Sequence, residues 1–301
     1  MIHPENPFGL MTDLCRLHAA TGLQVHVKMS DVHPRPANTI VGFDQSIAAW
    51  TAKAKAGLIT NGVTLAPIMV EVDGQGDLNI EVTQEDYITN RSASSAWNAL
   101  DVHERVTILN QEGYSSLYSR FLGTACAVVG SDGQLVMARR SMRTATEPGR
   151  WAPAIGEGMD QLDICEGIAD VRGCIIRGAR EELGLQISDE DVERCLSLGS
   201  LTVNATSGEL VVNGVLDFRL ARDYAPTSDE IIEIATRDAR DSWERDRYVS
   251  IPLEYEALHA FAADRAGEGR KMSGYGLVTA QLALEQSNNL DLGALPSLPL
   301  H

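Results

Sequence analysis

The chain has 301 residues, of which 44% are hydrophobic, enough for a buried core in one large domain or two domains of ordinary size. It carries 25 Lys and Arg against 42 Asp and Glu, and its formal net charge of −17 disfavours a polyanionic nucleic acid as a partner. The five cysteines lack metal-binding spacing, the start lacks a secretory signal, and no run reaches the roughly 18 apolar residues of a spanning helix. We therefore expect a cytoplasmic protein with reduced thiols and no membrane partner.

Residues 1–118 predict a small α+β domain. Alternating or β-branched hydrophobic residues predict strands at Leu23–Met29, Val63–Val72 and Leu78–Val82. Asp44 is a suitable N-cap for a helix that continues to about Lys55. Residues 83–86, Thr-Gln-Glu-Asp, have the pattern of a capping box and predict a short helix to about residue 90.

The stretch from residue 92 to residue 118 is less regular. It is predicted to connect the two domains or to cover the later site. Because most Trp and His residues of a soluble protein serve packing or face solvent, we interpret Trp97 and His103 as packing and surface residues and not as ligands.

A second domain is predicted to begin near Phe121 with a β-hairpin. Residues 122–130 and 134–138 are two hydrophobic runs, and Ser131-Asp132-Gly133 between them is a strong turn signal. This domain is predicted to extend to residue 288, with a tail at 289–301.

Residues 166–183 predict an amphipathic helix that ends in two adjacent carboxylates. Its apolar stripe recurs every three or four positions and consists of Ile168, Val171, Ile175, Ala179 and Leu183. Gly184 follows where a glycine commonly caps a helix, and Glu181 and Glu182 stand on the last turn. Two carboxylates on one turn repel each other and, together with substrate phosphates, suit a hard divalent cation such as Mg²⁺. The alternative is a solvated helix end, the commoner environment of an isolated Glu-Glu pair.

The sequence around this helix resembles the box of the Nudix hydrolases. Residues 177–185, Arg-Gly-Ala-Arg-Glu-Glu-Leu-Gly-Leu, match the second half of that box, Arg-Glu-aliphatic-any-Glu-Glu-any-Gly-aliphatic, at every fixed position except Gly178. The first half is stretched, because the glycine turn at 156–158 lies about five to seven residues further from the box arginine than in the pattern. Upstream, residues 135–141 and 148–151 resemble the strand and the turn that precede the box.

The resemblance implies a site for Mg²⁺ or Mn²⁺ at the end of the helix. Glu182 and then Glu181 are the first candidates for metal-binding catalytic residues, and the carbonyl near Gly156 would complete the coordination. Arg177 would orient the glutamates; its alternative role is an exposed helix pair with Glu181.

Gly178 removes one carboxylate from the predicted metal face, and glycine inside a helix costs up to about 1 kcal/mol relative to alanine. The longer glycine loop gives Glu157 and Asp160 freedom to reach the site, so Glu157 is also a candidate metal ligand. Glu166 and Asp170 are further candidates for the missing carboxylate.

A subgroup resemblance suggests the substrate class. The N-terminal α+β unit, the aromatic-rich joint at 114–124, the strand end at 139–141 and the disturbed box look like the atypical UDP-sugar hydrolases. This implies a small-molecule nucleotide substrate, with UDP-glucose or UDP-galactose the first compounds to test. Arg139, Arg140 and Trp151 are the candidate substrate-binding residues.

Further elements are predicted after the box. Strands are expected at 195–203, 209–220 and 245–253, and helices at 254–264 and 273–284. Residues 227–233 are acidic, and Glu230 and Glu233 there are either an additional metal ligand or part of a solvated loop.

Together these features predict an α/β protein: a Nudix α/β/α sandwich with a mixed sheet, preceded by a small α+β domain whose sheet edges offer a route to a homodimer. The predicted activity is Mg²⁺-dependent hydrolysis of a nucleoside diphosphate linked to another group. A Nudix-like binding or regulatory module without turnover is the alternative, because Gly178 and the stretched box disturb the site. A third reading, isopentenyl-diphosphate isomerase with Cys126 as its cysteine, lacks the histidine cluster that it needs.

Overall fold

The computed structural model describes residues 14–19, 22–31, 42–57, 59–101, 103, 121–144, 147–204, 209–263 and 272–288. Within these ranges the chain forms two mixed β-sheets and seven α-helices. The strands are β1 Leu14–Ala19, β2 Val25–Met29, β3 Val63–Val72, β4 Leu78–Asp86, β5 Leu122–Val129, β6 Gln134–Arg140, β7 Trp151–Pro153, β8 Ile155–Gly158, β9 Ile164–Cys165, β10 Ile168–Ala169, β11 Leu196–Asn204, β12 Leu210–Asp217 and β13 Arg245–Pro252. The helices are α1 Phe43–Lys55, α2 Tyr87–Ala99, α3 Val171–Leu183, α4 Asp189–Cys195, α5 Ser228–Asp238, α6 Tyr255–Ala263 and α7 Gly274–Ser287.

The larger sheet is the central layer of the protein. Its strands follow the order β1-β11-β12-β5-β6-β13, with β8 also paired to β5 and β7 to β6. Strands β12 and β5 are parallel, and the other pairs are antiparallel. Every residue of β5 is buried, as expected for a strand that is covered on both faces.

Helices cover both faces of this sheet. Successive residues of a strand point to opposite faces, and Val128 belongs to one hydrophobic core while Val129 belongs to another. Ile175 of α3 and Ile231 of α5 pack in the first core, and Leu277 of α7 packs in the second. The fold is therefore the predicted α/β/α sandwich with a mixed sheet.

The smaller sheet has the strand order β3-β4-β2-β10-β9, with β2 and β4 parallel. Helices α1 and α2 are joined by a hydrogen bond of 2.9 Å from Trp50 Nε1 to Ser95 Oγ. The two sheets exchange strands: β1 pairs with β11 in the larger sheet, and β9–β10 join the smaller one. Val27 and Ile80 of the smaller sheet lie in the same core as helix α3. The predicted division of the chain after residue 118 stays a prediction.

The N-terminal capping-box prediction was wrong. Residues 83–86 continue strand β4, and Asp86 at their end is the N-cap, its side chain accepting a hydrogen bond of 3.0 Å from the backbone N–H of Thr89. Helix α2 then continues to Ala99 through the stretch predicted to be irregular. Trp97 is buried, as predicted, and His103 is exposed.

The box helix begins later than its periodicity predicts. Residues 164–169 form the hairpin β9–β10, with a two-residue turn of Glu166 at φ 51° and Gly167 at φ 80°, as in hairpin turns of type I′. Ile168, expected in the helical stripe, is exposed in this hairpin. The additional residues of the stretched box therefore build a connection to the smaller sheet.

Two helices were missed after the box. Helix α4 precedes β11, and the acidic residues near 230 lie in helix α5, where Thr227 and Glu230 form a capping box. Residues 289–301 and the aromatic residues Tyr114 and Tyr118 lie outside the described part of the chain. In that part, no helix is long and apolar enough to cross a membrane.

Candidate active site

Helix α3 holds the box residues against the larger sheet. Its buried side consists of Val171, Cys174, Ile175, Gly178, Ala179, Glu182 and Leu183. Gly184 ends the helix with φ 69°, a left-handed conformation that glycine adopts without steric cost. The same packing that buries the apolar stripe therefore draws one of the two glutamates, Glu182, into the protein interior.

Both carboxylate oxygens of Glu182 are occupied. Oε1 accepts a hydrogen bond of 2.9 Å from Arg245 Nη2, and Oε2 accepts one of 2.9 Å from the backbone N–H of Gly156. The Arg245 and Glu182 side chains are 1% and 2% exposed, so this is a buried ion pair. Burial raises the pKa of the Glu182 carboxyl, and the Arg245 charge opposes the rise. Strand β13 and the glycine turn thus fix Glu182 in one orientation.

Glu181 lies at the edge of the site and pairs with two guanidinium groups. Its Oε1 lies 2.8 Å from Arg240 Nη1, and its Oε2 lies 3.3 Å from Arg177 Nη1. The Arg240 side chain is 76% exposed, and an ion pair in such a position holds its partner weakly. Glu181 can therefore release Arg240 at little cost.

Gly178 is required by the close approach of helix α3 to strand β8. A Cβ atom at residue 178 would lie 2.6 Å from Glu157 Cγ and 2.7 Å from Ile155 Cγ2, distances that no real Cβ atom adopts. The Glu157 side chain therefore occupies the space that a side chain at position 178 would need. Where the Nudix pattern has a glutamate on the helix, this protein has a glutamate on the facing strand.

Glu157 lies in the field of the other two glutamates. The pKa of its carboxyl is raised to about 8, chiefly by burial and then by the charge of Glu182, with a smaller contribution from Glu181. Arg177 opposes this rise through an ion pair in which Nη1 lies 2.9 Å from Glu157 Oε2. The charges of Glu181 and Glu182 thus act on the partly buried Glu157 carboxylate and repel it.

Arg177 connects the carboxylates. Its guanidinium donates to Glu157 and Glu181 through Nη1, and to Asp163 through Nε at 3.2 Å and Nη2 at 3.0 Å. Nη2 also lies 3.0 Å from the backbone carbonyl oxygen of Gly158. The alternative of a simple exposed helix pair is wrong, because the Arg177 side chain is only 17% exposed and binds three carboxylates.

The steric role of Gly178 gives a prediction on stability. Alanine is the better helix former by about 1 kcal/mol, but overpacking against Glu157 and Ile155 costs about 1 to 3 kcal/mol. The net effect expected of Gly178→Ala is a free energy of unfolding that is lower by up to roughly 2 kcal/mol in urea denaturation. Gly173→Ala in the same helix is the control: its Cβ would meet only the side chain of Asp170, which is exposed and makes no capping hydrogen bond. Equal effects of the two substitutions would contradict the close approach.

The three predicted substrate-binding residues have different environments. Arg139 forms an ion pair with Asp246, with Nε 2.7 Å from Oδ1. Arg140 lies opposite Arg245 in the β6–β13 pair, and burial together with the Arg245 charge lowers its pKa. Trp151 is 3% exposed and packs edge-on against Phe261 at 5.4 Å between ring centroids, so substrate contact through this ring would require the core to open.

The other predicted replacements for the missing carboxylate lie elsewhere. Asp170 is the N-cap of α3, Glu166 occupies the exposed hairpin turn, and Asp160 accepts a hydrogen bond from the backbone N–H of Leu162. Glu230 is engaged in the capping box of α5, where hydrogen bonds from Thr227 lower its pKa. Glu233 lies on the same helix, 3.7 Å from Arg237, and its side chain is 75% exposed. The acidic stretch is therefore solvated, but it is a helix and not the loop that was predicted.

Cys126 is buried inside strand β5. Burial raises the pKa of its thiol well above the ordinary value. A thiol acts as a nucleophile when it is partly exposed and its pKa is lowered. The environment of Cys126 is therefore that of a core residue, and it does not support the isomerase reading.

Sequence reasoning missed Asp163, Arg240 and Arg245. Asp163 lies in the additional loop residues, where no motif position points to it. Arg245 was predicted only as a strand residue, although an arginine at a buried strand position needs an anionic partner. Each of these residues binds an oppositely charged side chain that only the tertiary fold brings next to it.

The donor chemistry of the site fits a hard divalent cation. Glu157, Glu181 and Glu182 supply carboxylate oxygens, which Mg²⁺ and Mn²⁺ prefer, and burial together with the charges of the other two glutamates raises the pKa of Glu157. In the described part of the chain, however, no three His, Cys, Asp or Glu side chains already converge as a metal-binding group. The carboxylates instead form ion pairs with the guanidinium groups of arginines.

The chain is an α/β/α sandwich, and its helix α3 carries a sequence that resembles the Nudix box. No protein-family model and no curated protein matches the sequence. Solved structures similar to this chain do include Nudix and MutT proteins. A MutT protein from Methanosarcina mazei Go1 is 14% identical, with 56% of this chain and 94% of that chain covered and a TM-score of 0.32.

Two further structures have the same level of similarity. A MutT/nudix family protein from Enterococcus faecalis is 12% identical, with 68% of this chain and 76% of that chain covered and a TM-score of 0.36. A bifunctional NMN adenylyltransferase/ADP ribose pyrophosphatase from Francisella tularensis, complexed with AMP and a Mn ion, is 12% identical, with coverages of 60% and 58% and a TM-score of 0.31. At these values, the similarity by itself assigns no activity to this chain.

Proposed function

We propose that this protein is a Nudix-type pyrophosphohydrolase that cleaves a nucleoside diphosphate linked to another group, with Mg²⁺ or Mn²⁺ as its cofactor. A nucleotide sugar such as UDP-glucose is the first substrate to test. The proposal is supported chiefly by the side chain of Glu157, which fills the space in front of Gly178 and lies near Glu181 and Glu182. The carboxylate missing from the box thus has a counterpart at the same place.

In this proposal, Glu157, Glu181 and Glu182 would hold the cation together with the carbonyl of Gly156. When bound, the cation neutralises the diphosphate and stabilises the leaving phosphate. The neighbouring groups of the protein prepare these ligands. Arg245 and the Gly156 N–H fix the direction of Glu182, and Arg177 draws Glu157 and Glu181 toward each other.

The test is a screen for turnover. UDP-glucose, UDP-galactose, dinucleotides and ADP-ribose are incubated with the protein and Mg²⁺ or Mn²⁺, and release of phosphate or nucleoside monophosphate is measured. We expect turnover that requires the metal and falls by roughly a hundredfold or more in Glu182→Gln. Glu190→Gln on helix α4, where the carboxylate is exposed and pairs with Arg194, is the control. Equal turnover by wild type and Glu182→Gln would refute the assignment.

A non-catalytic nucleotide-binding or regulatory module is the second candidate function. It is favoured by the arginine partners of the carboxylates and by the lack of a ready three-residue metal group among the described residues. Calorimetry with nucleotides, with and without Mg²⁺, separates the two functions. Tight binding that does not depend on Mg²⁺, in a protein without turnover on the whole panel, would support the module.

We also propose a cytoplasmic protein that forms a homodimer through a sheet edge. Among the described strands, β3 and β9 are the edges of the smaller sheet; β3 is bridged at Thr64 to Asp160, and strand edges that remain unpaired can pair with a second chain. Sedimentation of the purified protein would show whether a dimer exists.

A further inference from the structure

Asp163 is the most buried of the three carboxylates that bind Arg177. Its side chain is 3% exposed, against 15% for Glu157 and 21% for Glu181. It accepts hydrogen bonds from two guanidinium nitrogen atoms, Nε and Nη2, in a bidentate contact. Glu157 and Glu181 each accept a hydrogen bond from Nη1 alone. A two-pronged contact between guanidinium and carboxylate fixes orientation as well as distance.

The loop around Asp163 is itself closely held. Asp163 Oδ2 accepts a hydrogen bond of 2.9 Å from the backbone N–H of Asp160, and its carbonyl oxygen accepts one of 2.7 Å from the N–H of Asp170. Asp170 is the residue from which helix α3 starts. The loop therefore closes on the beginning of the helix that carries Arg177.

The smaller sheet anchors this loop at both ends. On one side, the N–H of Leu65 donates to the carbonyl oxygen of Met159 at 3.0 Å. On the other, β10 pairs with β2, and the N–H of Met29 donates to the carbonyl oxygen of Gly167 at 2.9 Å. The additional residues of the box thus tie Asp163 to the N-terminal part of the chain.

From these contacts we infer that Asp163 is a positioning residue, held by the smaller sheet, that directs Nη1 of Arg177 toward Glu157 and Glu181. Nε is bound by Asp163, and Nη2 is bound by Asp163, the Gly158 carbonyl oxygen and Cys174 Sγ. Only the Nη1 corner of the planar guanidinium therefore remains for the two glutamates. Asp163 does not touch the reacting atoms and acts through Arg177. The inference rests on the proposed function, since it assigns a role in that reaction.

The test is a double-mutant cycle of Asp163→Asn and Arg177→Lys. We expect Asp163→Asn to lower kcat by roughly tenfold or more with KM changed less than twofold, because only the arrangement of the glutamates is disturbed. In the Arg177→Lys background the same substitution should lower kcat no further, since the two residues act as a unit. Asp163→Glu, which restores the charge, should recover part of the loss.

Asp191→Asn is the matched control. Asp191 is fully buried and accepts hydrogen bonds from the backbone N–H groups of Arg222 and Tyr224, outside the carboxylate cluster. The Asp191→Asn protein should be less stable than the wild type but should keep the wild-type kcat at a temperature where it is folded. An unchanged kcat in Asp163→Asn, or independent effects of the two substitutions in the cycle, would overturn the positioning role.

A second measurement keeps this inference separate from the proposed function. The ¹⁵N NMR signal of the Arg177 Nε–H reports whether the guanidinium is held, and it needs no substrate. We expect a slowly exchanging signal in the wild type that exchanges faster in Asp163→Asn but not in Asp191→Asn. If the wild type turns over no compound while this pattern holds, the proposed function fails and the positioning stands. If the exchange rate of the Arg177 Nε–H is the same in Asp163→Asn and in the wild type, the positioning role is refuted, whether or not the protein shows turnover.

Discussion

Glu157→Gln is expected to move turnover and stability in opposite directions. Loss of a carboxylate from the proposed metal site should lower kcat by roughly a hundredfold or more. In metal-free solution at pH 8 to 9, the same substitution should raise the free energy of unfolding, because it removes a charge that burial and Glu182 disfavour. A residue that weakens the fold while supporting the reaction is typical of an active site.

The sign of the pH effect follows from the pKa of Glu157. The carboxyl has an ordinary pKa of 4.5 and a raised pKa of about 8 in the folded protein, so the folded state binds the proton more tightly. Its contribution to stability is present below pH 4.5 and is lost as the pH rises to about 8. We expect the stability difference between Glu157→Gln and wild type to grow over this range, on the order of a few kcal/mol at most, and then to level off.

Urea denaturation at a series of pH values checks this difference, and turnover is measured on the same samples with Mg²⁺ added. Glu166→Gln, in the exposed turn of the neighbouring hairpin, is the control and should change neither quantity. A Glu157→Gln protein that keeps wild-type turnover would remove the main support for the proposed site. A stability difference that is independent of pH would show that the Glu157 carboxyl ionises normally.

Arg245→Met is expected to produce the largest loss of stability. It would leave the Glu182 carboxylate buried without its charged partner, and breaking a buried ion pair in this way costs about 3 to 5 kcal/mol. Thermal and urea unfolding measure the loss. The double substitution Arg245→Met with Glu182→Gln should be less destabilised than Arg245→Met alone, because it no longer buries an unpaired charge.

Arg240→Met is the matched control for this prediction. It removes the guanidinium partner of the neighbouring glutamate, Glu181, but the Arg240 side chain is 76% exposed. An exposed pair contributes about 0 to 1 kcal/mol, so Arg240→Met should unfold almost like the wild type. Similar losses in the two single variants would mean that the Arg245–Glu182 pair is not buried in solution.

The box illustrates how far local sequence information reaches. The apolar stripe and Gly184 predicted the end of helix α3 correctly, because a helix end depends on neighbouring residues. The beginning was wrong: Ile168 has the helical spacing of the stripe, but it lies in β10, which pairs with β2, a strand far away in the sequence. The same tertiary effect extended β4 through residues 83–86, where a local capping pattern predicted a helix.

The sequence by itself determined the α/β class, most strands of the larger sheet and the two glutamates at the end of the box helix, because hydrophobic periodicity and turn residues act over a few positions. Only the tertiary structure decided which groups face those glutamates. Gly178 removes a carboxylate in the sequence, yet the space it leaves is filled by Glu157 from a strand that precedes the helix by a long loop. Arg245 and Asp163 likewise come from distant segments. Tertiary packing determines which charged group each of them meets, and no local sequence pattern encodes that pairing.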